Sequence, residues 1–201
     1  MIRTFLFDMG NVLVHFSHKR MCEQLGTLCN RGVTEIEAFL LDQGLQLQLE
    51  RGMISEGEFH ALFEESIGQR VDHDKLLHAA SDIFELNSPI VPILDELKRR
   101  GHRLVLMSNT SITHFEFIQR RFDVLNRFDD FVVSYEVGAV KPEPQIYEAA
   151  LKTIGCAPHK CFYTDDIKEY VDEARKYGID GEVFDGVAEL RAQLTKREIV
   201  V

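Results

Sequence analysis

A single carboxylate follows the first apolar run of the chain and can act as a nucleophile or bind a cation. Asp8 comes directly after Phe5–Phe7 and precedes a glycine turn at Gly10. An unpaired charge inside a strand that is buried on both faces is costly, so we expect Asp8 to lie just past the strand's end. In open α/β sheets, ligands bind at that end of the strands.

Three more polar stretches repeat this placement. Ser108–Thr110 follow a second apolar run, Lys141 precedes a predicted helix, and Asp165 and Asp166 end a further apolar run. Any one of these stretches alone is weak evidence, because such residues also cap helices or lie in solvent. Four of them in order at strand or helix ends predict one crevice. Carboxylates suit Mg²⁺, and a lysine and a hydroxyl suit a phosphoryl group.

The elements that must position these residues fall into two regions. Residues 17–87 show apolar spacings of three and four, which predict four short amphipathic helices, the last including Ile83 and Phe84. A capping box at Ser55–Glu58 begins one of them. Residues 43–52 alternate leucine with glutamine, so a strand and a helix are both open, and the neighbouring helices favour a helix.

From residue 88 the pattern alternates between helix and strand, which predicts an α/β fold with a parallel sheet. Ser88 and Pro89 begin a helix that ends at Gly101. The predicted strands are Arg103–Met107, Phe131–Ser134, Cys161–Thr164 and Glu182–Phe184, and the helices between them are His114–Phe122, Pro144–Ile154 and Lys168–Tyr177. We therefore expect a core of residues 1–14 and 88–201 that is interrupted by a helical insert at 15–87.

Composition excludes several classes of partner. The formal net charge of −10 argues against a nucleic-acid backbone as ligand. No apolar run is long enough for a membrane span, so we expect no membrane association and a cytoplasmic location. The four cysteines lack the spacing of a zinc site and are interpreted as reduced thiols; they are Cys22, Cys29, Cys156 and Cys161.

With motifs at Asp8, Ser108, Lys141 and Asp165-Asp166, the chain resembles the haloacid dehalogenase-like hydrolase superfamily over its whole length. The resemblance implies a Rossmann-like sheet with core strand order 3-2-1-4-5 and a C1-type cap at 15–87. The opening Phe7–Val12 is most similar to the branch of bacterial sugar-1-phosphate phosphatases such as glucose-1-phosphatase. It is similar, more distantly, to the phosphatase domain of soluble epoxide hydrolase.

The resemblance and the residue chemistry imply a role for each motif. Asp8 would attack phosphorus and form an aspartyl-phosphate, while Lys141 neutralises both Asp8 and the phosphate. Ser108, Asn109 and Lys141 would bind the phosphoryl group. The expected cofactor is Mg²⁺, held by Asp8, the carbonyl of Gly10, Asp165 and Asp166. Direct ligation of the metal is assigned to Asp166. Asp165 would act through a water molecule or by supporting the residues that bind the metal.

Two departures from the family pattern matter. Many members have a second aspartate as general acid where this chain has Gly10, and Tyr170 and Glu173 replace the usual residues after Asp166. Without that acid, the barrier depends on leaving-group acidity, so sugar-1-phosphates should react faster than sugar-6-phosphates. His15 is a candidate for the missing proton donor, and a linker histidine is its structural alternative.

The predicted function is a Mg²⁺-dependent phosphatase of small phosphate esters, with sugar phosphates as the substrate class. One alternative is a phosphate-binding or regulatory relative that has lost turnover, against which the retained nucleophile Asp8 counts. Another is a 2-haloacid dehalogenase, which needs no metal and therefore fits the pair Asp165-Asp166 less well. We expect a monomer or a weak homodimer.

Overall fold

Seven strands form two sheets in a computed structural model that describes all 201 residues. They are β1 (Thr4–Phe7), β2 (Val14–Phe16), β3 (Phe84–Leu86), β4 (Arg103–Ser108), β5 (Asp130–Val133), β6 (Cys161–Asp165) and β7 (Asp180–Val183). Five of them make a parallel sheet in the order β5-β4-β1-β6-β7, and β2 pairs with β3 in an antiparallel ladder. Numbered along the core, this order is 3-2-1-4-5, which confirms the predicted α/β fold.

The helices number eleven. They are α1 (His18–Cys29), α2 (Val33–Glu37), α3 (Leu45–Glu50), α4 (Glu56–Ile67), α5 (His73–Ser81), α6 (Val91–Arg99), α7 (Ile112–Arg121), α8 (Ser134–Val137), α9 (Pro144–Thr153), α10 (Lys168–Lys176) and α11 (Val187–Thr195). A π-helical turn covers Ala38–Asp42, and 3₁₀ turns cover Ser88–Ile90, Val124–Arg127 and Pro158–Lys160. None of these helices has both the length and the apolar composition needed to cross a membrane.

The central strand β1 is apolar because both of its faces are covered. Side chains of a strand alternate between the two faces of the sheet. Phe5 and Phe7 accordingly lie in one buried cluster with residues of α6, α7 and α11. Leu6 lies in a second cluster, with residues of α9 and α10. A charge is tolerated only where the strand ends, which is where Asp8 lies.

Helices α1 to α5 form a helical insert between β2 and β3, and the insert has a hydrophobic cluster of its own. That cluster holds 14 buried residues, among them Leu25, Phe63 and Leu76. The chain enters and leaves the insert side by side, because Val14 of β2 pairs with Leu86 of β3. Asn87 strengthens this junction by donating from Nδ2 to the carbonyl of Val12 at 2.7 Å.

The structure corrects several predicted boundaries. The last helix of the insert ends at Ser81, so Ile83 and Phe84 are not part of it, and Phe84 pairs with Phe16 across the β2–β3 ladder. Strand β5 ends at Val133, and Ser134 begins α8. The helical interpretation of residues 43–52 is confirmed by α3. Helix α11 was not predicted, because its apolar residues do not form a clear stripe along one face.

Candidate active site

The predicted polar stretches meet in one crevice at the carboxyl edge of the parallel sheet. The crevice has a volume of about 210 Å³ and is lined from the core by Asp8, Gly10, Ser108, Asn109, Lys141 and Asp166. The insert and β2–β3 line its other side. Asp165 belongs to the same cluster but lies behind the surface, with no exposed area. Parallel strands bring their carboxyl ends to one edge, which is why residues far apart in the chain meet here.

Lys141 joins the first and last strand tips of the site. Its Nζ donates to Asp8 Oδ1 at 2.7 Å and to Asp165 Oδ2 at 2.6 Å. A third bond reaches the carbonyl of Met107 at 3.2 Å. Because Lys141 is only 2% exposed and Asp8 only 7% exposed, these charges interact with little screening from water.

Burial and charge act in opposite directions on this cluster. Burial raises the pKa of Asp8, the ammonium of Lys141 lowers it, and the neighbouring Asp165 raises it again, with a net increase. Burial alone would lower the pKa of Lys141, but the carboxylates of Asp165 and Asp8 raise it above its usual value. Lys141 therefore stays charged, and the cluster as a whole still has more acidic than basic groups.

Asn109 fixes the segment that carries this lysine. The backbone N–H of Lys141 donates to Asn109 Oδ1 at 2.7 Å, and Asn109 Nδ2 donates to the carbonyl of Lys141 at 3.1 Å. The Asn109 side chain is thus used for positioning. The hydroxyl of Ser108 has only a long contact of 3.4 Å to the carbonyl of Asn109, which leaves it available to a ligand in the crevice.

The two late aspartates have different surroundings. Asp165 is fully buried; its Oδ1 accepts from the Ile167 N–H at 2.8 Å, and its Oδ2 accepts from the Tyr163 hydroxyl as well as from Lys141. Asp166 is partly exposed in the crevice, and its Oδ2 accepts from Asn11 Nδ2 at 2.9 Å. The oxygen atoms of Asp165 are therefore already used, whereas those of Asp166 are accessible.

The donor set fits a small divalent cation. Carboxylate oxygens of Asp8, Asp165 and Asp166 lie within 4.8 Å of one another. Three carboxylates against one ammonium leave negative charge in a buried place, which a cation would offset. All three donors are oxygens, the ligand type that Mg²⁺ prefers. The residues present therefore suit Mg²⁺ better than a metal that prefers sulfur or imidazole ligands.

His15, the predicted replacement for the missing acid, does not line the crevice. It lies in β2 with an exposed side chain, opposite Glu85 of β3. Its neighbours Val14 and Phe16 do line the crevice. Because successive side chains of a strand point to opposite faces, the residue between them points away. The histidines that reach the crevice are His18 and His114.

Several residues of the site could not be found from the motifs. Tyr170, noted only as a departure from the family, places its ring 5.1 Å from Lys141 Nζ. Tyr163 shares a face of β6 with Asp165, so the alternation of that strand is a signal that could have been used. Glu50 lines the crevice from the insert. The stretch Glu50–Ser55 resembles a phrase common in caps of the family, but the sequence does not show which of its side chains faces the crevice.

Comparisons with known proteins agree with this geometry. A family model described as haloacid dehalogenase-like hydrolase matches residues 2–178. A phosphatase of Mycobacterium tuberculosis is 26% identical over 200 residues, which cover 94% of this chain and 90% of that protein. The D-ribitol-5-phosphate phosphatase of Bacteroides thetaiotaomicron is 23% identical over 206 residues, which cover 97% of this chain and 98% of that protein.

A solved structure is similar over nearly the same length. It is a haloacid dehalogenase family enzyme of Bacteroides thetaiotaomicron in complex with magnesium and inorganic phosphate, with a TM-score of 0.84 and 26% identity, and the match covers 94% of this chain and 99% of that one. The family model, the sheet order and the four polar motifs around the crevice lead to the same conclusion: this chain is a hydrolase and belongs to the haloacid dehalogenase-like family.

Proposed function

We propose that the chain is a Mg²⁺-dependent phosphatase that hydrolyses small phosphate monoesters through an aspartyl-phosphate on Asp8. The observation that carries this proposal is the buried bridge in which Lys141 contacts both Asp8 and Asp165 at the edge of the crevice. A protein that only binds phosphate has no need for a carboxylate there. Negative charge repels phosphate unless cations offset it, so the arrangement suits attack better than binding.

In the proposed reaction, the Asp8 carboxylate attacks phosphorus and the ester oxygen leaves. Lys141 holds Asp8 Oδ1 and therefore orients the carboxylate toward the crevice. The Ser108 hydroxyl and the Lys141 ammonium are placed to stabilise charge on the phosphoryl oxygens, and the backbone of Asn109 lies beside them. Water then attacks the aspartyl-phosphate, which releases inorganic phosphate and restores Asp8.

The residues that would hold Mg²⁺ are Asp8, the carbonyl of Gly10 and Asp166, with Asp165 acting behind them. The cation would offset charge on the phosphoryl group during transfer. Asp165 is assigned the supporting role because Lys141, Tyr163 and the Ile167 N–H already bind its oxygens. The similar Bacteroides enzyme, solved in complex with magnesium and inorganic phosphate, supports Mg²⁺ as the cation.

Phosphorylated sugars or polyols are the proposed substrates. A crevice of about 210 Å³ suits a small ligand, and one relative is named as a phosphatase of D-ribitol 5-phosphate. We further propose that residues 15–87 act as a cap on a core of 1–14 and 88–201. The preference for sugar-1-phosphates stays a prediction, because it assumes that no other group replaces the acid missing at Gly10.

The replacement Asp8→Asn tests the nucleophile. It is close to isosteric and removes the attacking charge, while Asp165 still neutralises Lys141, so the fold should be kept. We expect phosphate release from p-nitrophenyl phosphate with Mg²⁺ to fall by at least about 10³-fold. Phosphate release and a melting curve are measured on the same preparation.

Asp74→Asn is the matched control, because the side chain of Asp74 is 99% exposed and lies outside the crevice. It should leave turnover unchanged. If folded Asp8→Asn protein kept a tenth or more of the wild-type rate, another group would be the nucleophile. If the wild-type protein released no phosphate from any of a panel of sugar, alkyl and aryl phosphates, the proposed activity itself would be wrong.

A further inference from the structure

An aromatic ring crowds the position that usually carries the general acid. A Cβ atom added at Gly10 would lie 2.9 Å from Phe16 Cε1 and 3.8 Å from Asp8 Oδ2. The Phe16 ring in turn packs against His18 and Phe84, with centroid distances of 5.1 and 6.3 Å. The ring thus lies beside the nucleophile, and Gly10 has no side chain that could donate a proton, so a proton for the leaving group has to come from another wall of the crevice.

Glu50 is the carboxyl that the insert contributes to the crevice. It is the last residue of α3 and lines the same space as Asp8 and Ser108. Its side chain has one hydrogen bond, from Gln46 Nε2 to Oε1 at 3.0 Å, and forms no ion pair. The next residue, Arg51, instead pairs with Glu143. Glu50 therefore keeps one carboxyl oxygen free and has no cation to hold it in the ionised form.

The backbone at Glu50 is fixed against the core. The Ser134 hydroxyl donates to the Glu50 carbonyl at 2.6 Å and accepts from the Thr110 N–H at 2.9 Å. Gly52 lies so close to the core that an added Cβ would come within 2.2 Å of the Tyr135 carbonyl oxygen. These contacts connect the end of α3 to the tip of β4, which also carries Ser108.

The protonation of Glu50 suits a proton donor. Burial raises the pKa of Glu50, and the hydrogen bond from Gln46 lowers it by less. A carboxyl with a raised pKa keeps its proton closer to neutrality than an ordinary glutamate, as a general acid must. The two histidines of the crevice are less suited, because burial lowers the pKa of His18 and brings that of His114 down to about 4.

We propose that Glu50 is a catalytic residue, the general acid and base of the reaction. The inference rests on the proposed phosphatase function. As the bond between Asp8 and phosphorus forms and the ester bond breaks, the Glu50 carboxyl gives its proton to the leaving oxygen, which departs as an alcohol. In the second step the Glu50 carboxylate takes a proton from water while the water oxygen attacks phosphorus, and phosphate and free Asp8 are formed.

Glu50→Gln tests this role with two substrates that differ in leaving group. On a sugar-6-phosphate, whose leaving oxygen needs a proton, turnover should fall by about 10²–10⁴-fold. On p-nitrophenyl phosphate, whose leaving group needs none, the first step should keep its rate. Rapid mixing should therefore show a burst of about one equivalent of p-nitrophenolate before slow turnover, because water attack lacks its base.

Glu56→Gln is the matched control, since Glu56 also belongs to the insert and contacts the core through Thr113, yet does not line the crevice. It should keep both rates. Glu50→Gln protein should melt at or above the wild-type temperature at pH 7, because an amide replaces a carboxyl whose ionised form is disfavoured by burial.

The absence of a p-nitrophenolate burst because the first step slows as much as it does on the sugar phosphate, or a change confined to KM, would overturn the assignment of Glu50 as general acid. So would sugar-phosphate turnover that stays at the wild-type level. These results are distinguishable from failure of the proposed function. In that case the wild-type protein would not hydrolyse phosphate esters with Mg²⁺, or its activity would survive Asp8→Asn.

Discussion

At the scale of single residues, the crevice contains one basic group that stays charged and one that stays neutral. Lys141 stays charged because two buried carboxylates contact its Nζ. His114 is the opposite case: its ring is 6% exposed, and its Nε2 lies 3.1 Å from the Ala80 carbonyl. Burial lowers the pKa of His114 to about 4, so the ring is neutral throughout the physiological range.

His114 should make stability depend on pH. In the unfolded chain a histidine takes a proton near pH 6.5, but the folded protein resists it until about pH 4. The unfolded state therefore binds more protons between these values, so stability should fall as pH drops from 6.5 to 4, by roughly 3 kcal/mol from this group. Urea unfolding of the wild type and of His114→Gln at several pH values measures the difference.

The His114→Gln variant should lose less stability than the wild type between pH 6.5 and 4, and above pH 7 the stability of both proteins should depend on pH in the same way. Identical slopes for the two proteins between pH 6.5 and 4 would show that His114 takes up its proton in the folded state. Other acidic groups affect both proteins alike and cancel in the comparison.

The strand-tip residues could be predicted from the sequence because the signal is local. A polar residue directly after an apolar run marks the edge of the sheet, and Asp8, Ser108 and Asp166 were found in this way. Glu50 could not be found, because its environment depends on how the insert packs on the core. The orientation of His15 away from the crevice could not be predicted, because β2 is a strand of only three residues, too short to reveal its alternation in the sequence.

At the scale of elements, the connection between α3 and α4 ties the insert to the core. Arg51 pairs with Glu143, and the Glu143 carboxylate also accepts from the Val140 N–H at 3.2 Å, next to Lys141. Gly52 packs directly on the carbonyl of Tyr135, with a φ of 63°. This connection thus reaches the same loop that carries the site's lysine.

Gly52→Ala should weaken the contact between the α3–α4 connection and the core. The added Cβ would lie 2.2 Å from the Tyr135 carbonyl oxygen, in a backbone conformation that favours glycine. We expect the free energy of unfolding to fall by about 2–4 kcal/mol, which lowers the melting temperature by roughly 5–15 °C for a chain of this size.

Gly44→Ala is the control, because Gly44 has a φ of 76° but nothing within 4 Å of the added Cβ. Gly44→Ala should lower the free energy of unfolding only through backbone strain, by about 1 kcal/mol. Calorimetry on the two variants isolates the contact with the core. Equal losses at the two positions would contradict a tight contact between Gly52 and Tyr135.

The elements themselves were mostly predictable, since their periodicity is local. The parallel strands and the helix of residues 45–50 were predicted, with shifts of one or two residues at many ends. The β2–β3 ladder was missed, because pairing between residues 70 positions apart (Val14–Phe16 with Phe84–Leu86) leaves no short-range pattern. Phe84 is an example: it fits a helical spacing and was therefore assigned to a helix, although it pairs with Phe16 across the ladder.

At the scale of the whole molecule, the site connects metal binding to folding. Three carboxylates from two strand tips lie together, two of them buried, and their repulsion opposes the folded state. A cation that binds only the folded chain should therefore stabilise the entire protein, by about 2.7 kcal/mol at a concentration of 100 times Kd.

Melting curves with and without Mg²⁺ should separate the roles of the two late aspartates. We expect the wild-type melting temperature to rise by about 5–10 °C at saturating Mg²⁺. Asp166→Asn should keep the metal-free melting temperature but lose this rise. Asp165→Asn should lower the metal-free value, because it removes a buried charge that pairs with Lys141. The reverse pattern would exchange the two assignments.

The ring of Phe16 over Gly10 also restricts how this chain can change over evolutionary time. An aspartate at position 10 would place its Cβ 2.9 Å from that ring. Turning the ring aside would disturb its contacts with His18 and Phe84. An acid at position 10 would therefore need Phe16 to move or to be replaced by a smaller residue, and replacing Phe16 alone would offer no catalytic gain. Substitutions at the two positions should therefore be non-additive, and descendants of this chain should tend to keep the glycine and the aromatic residue as a pair.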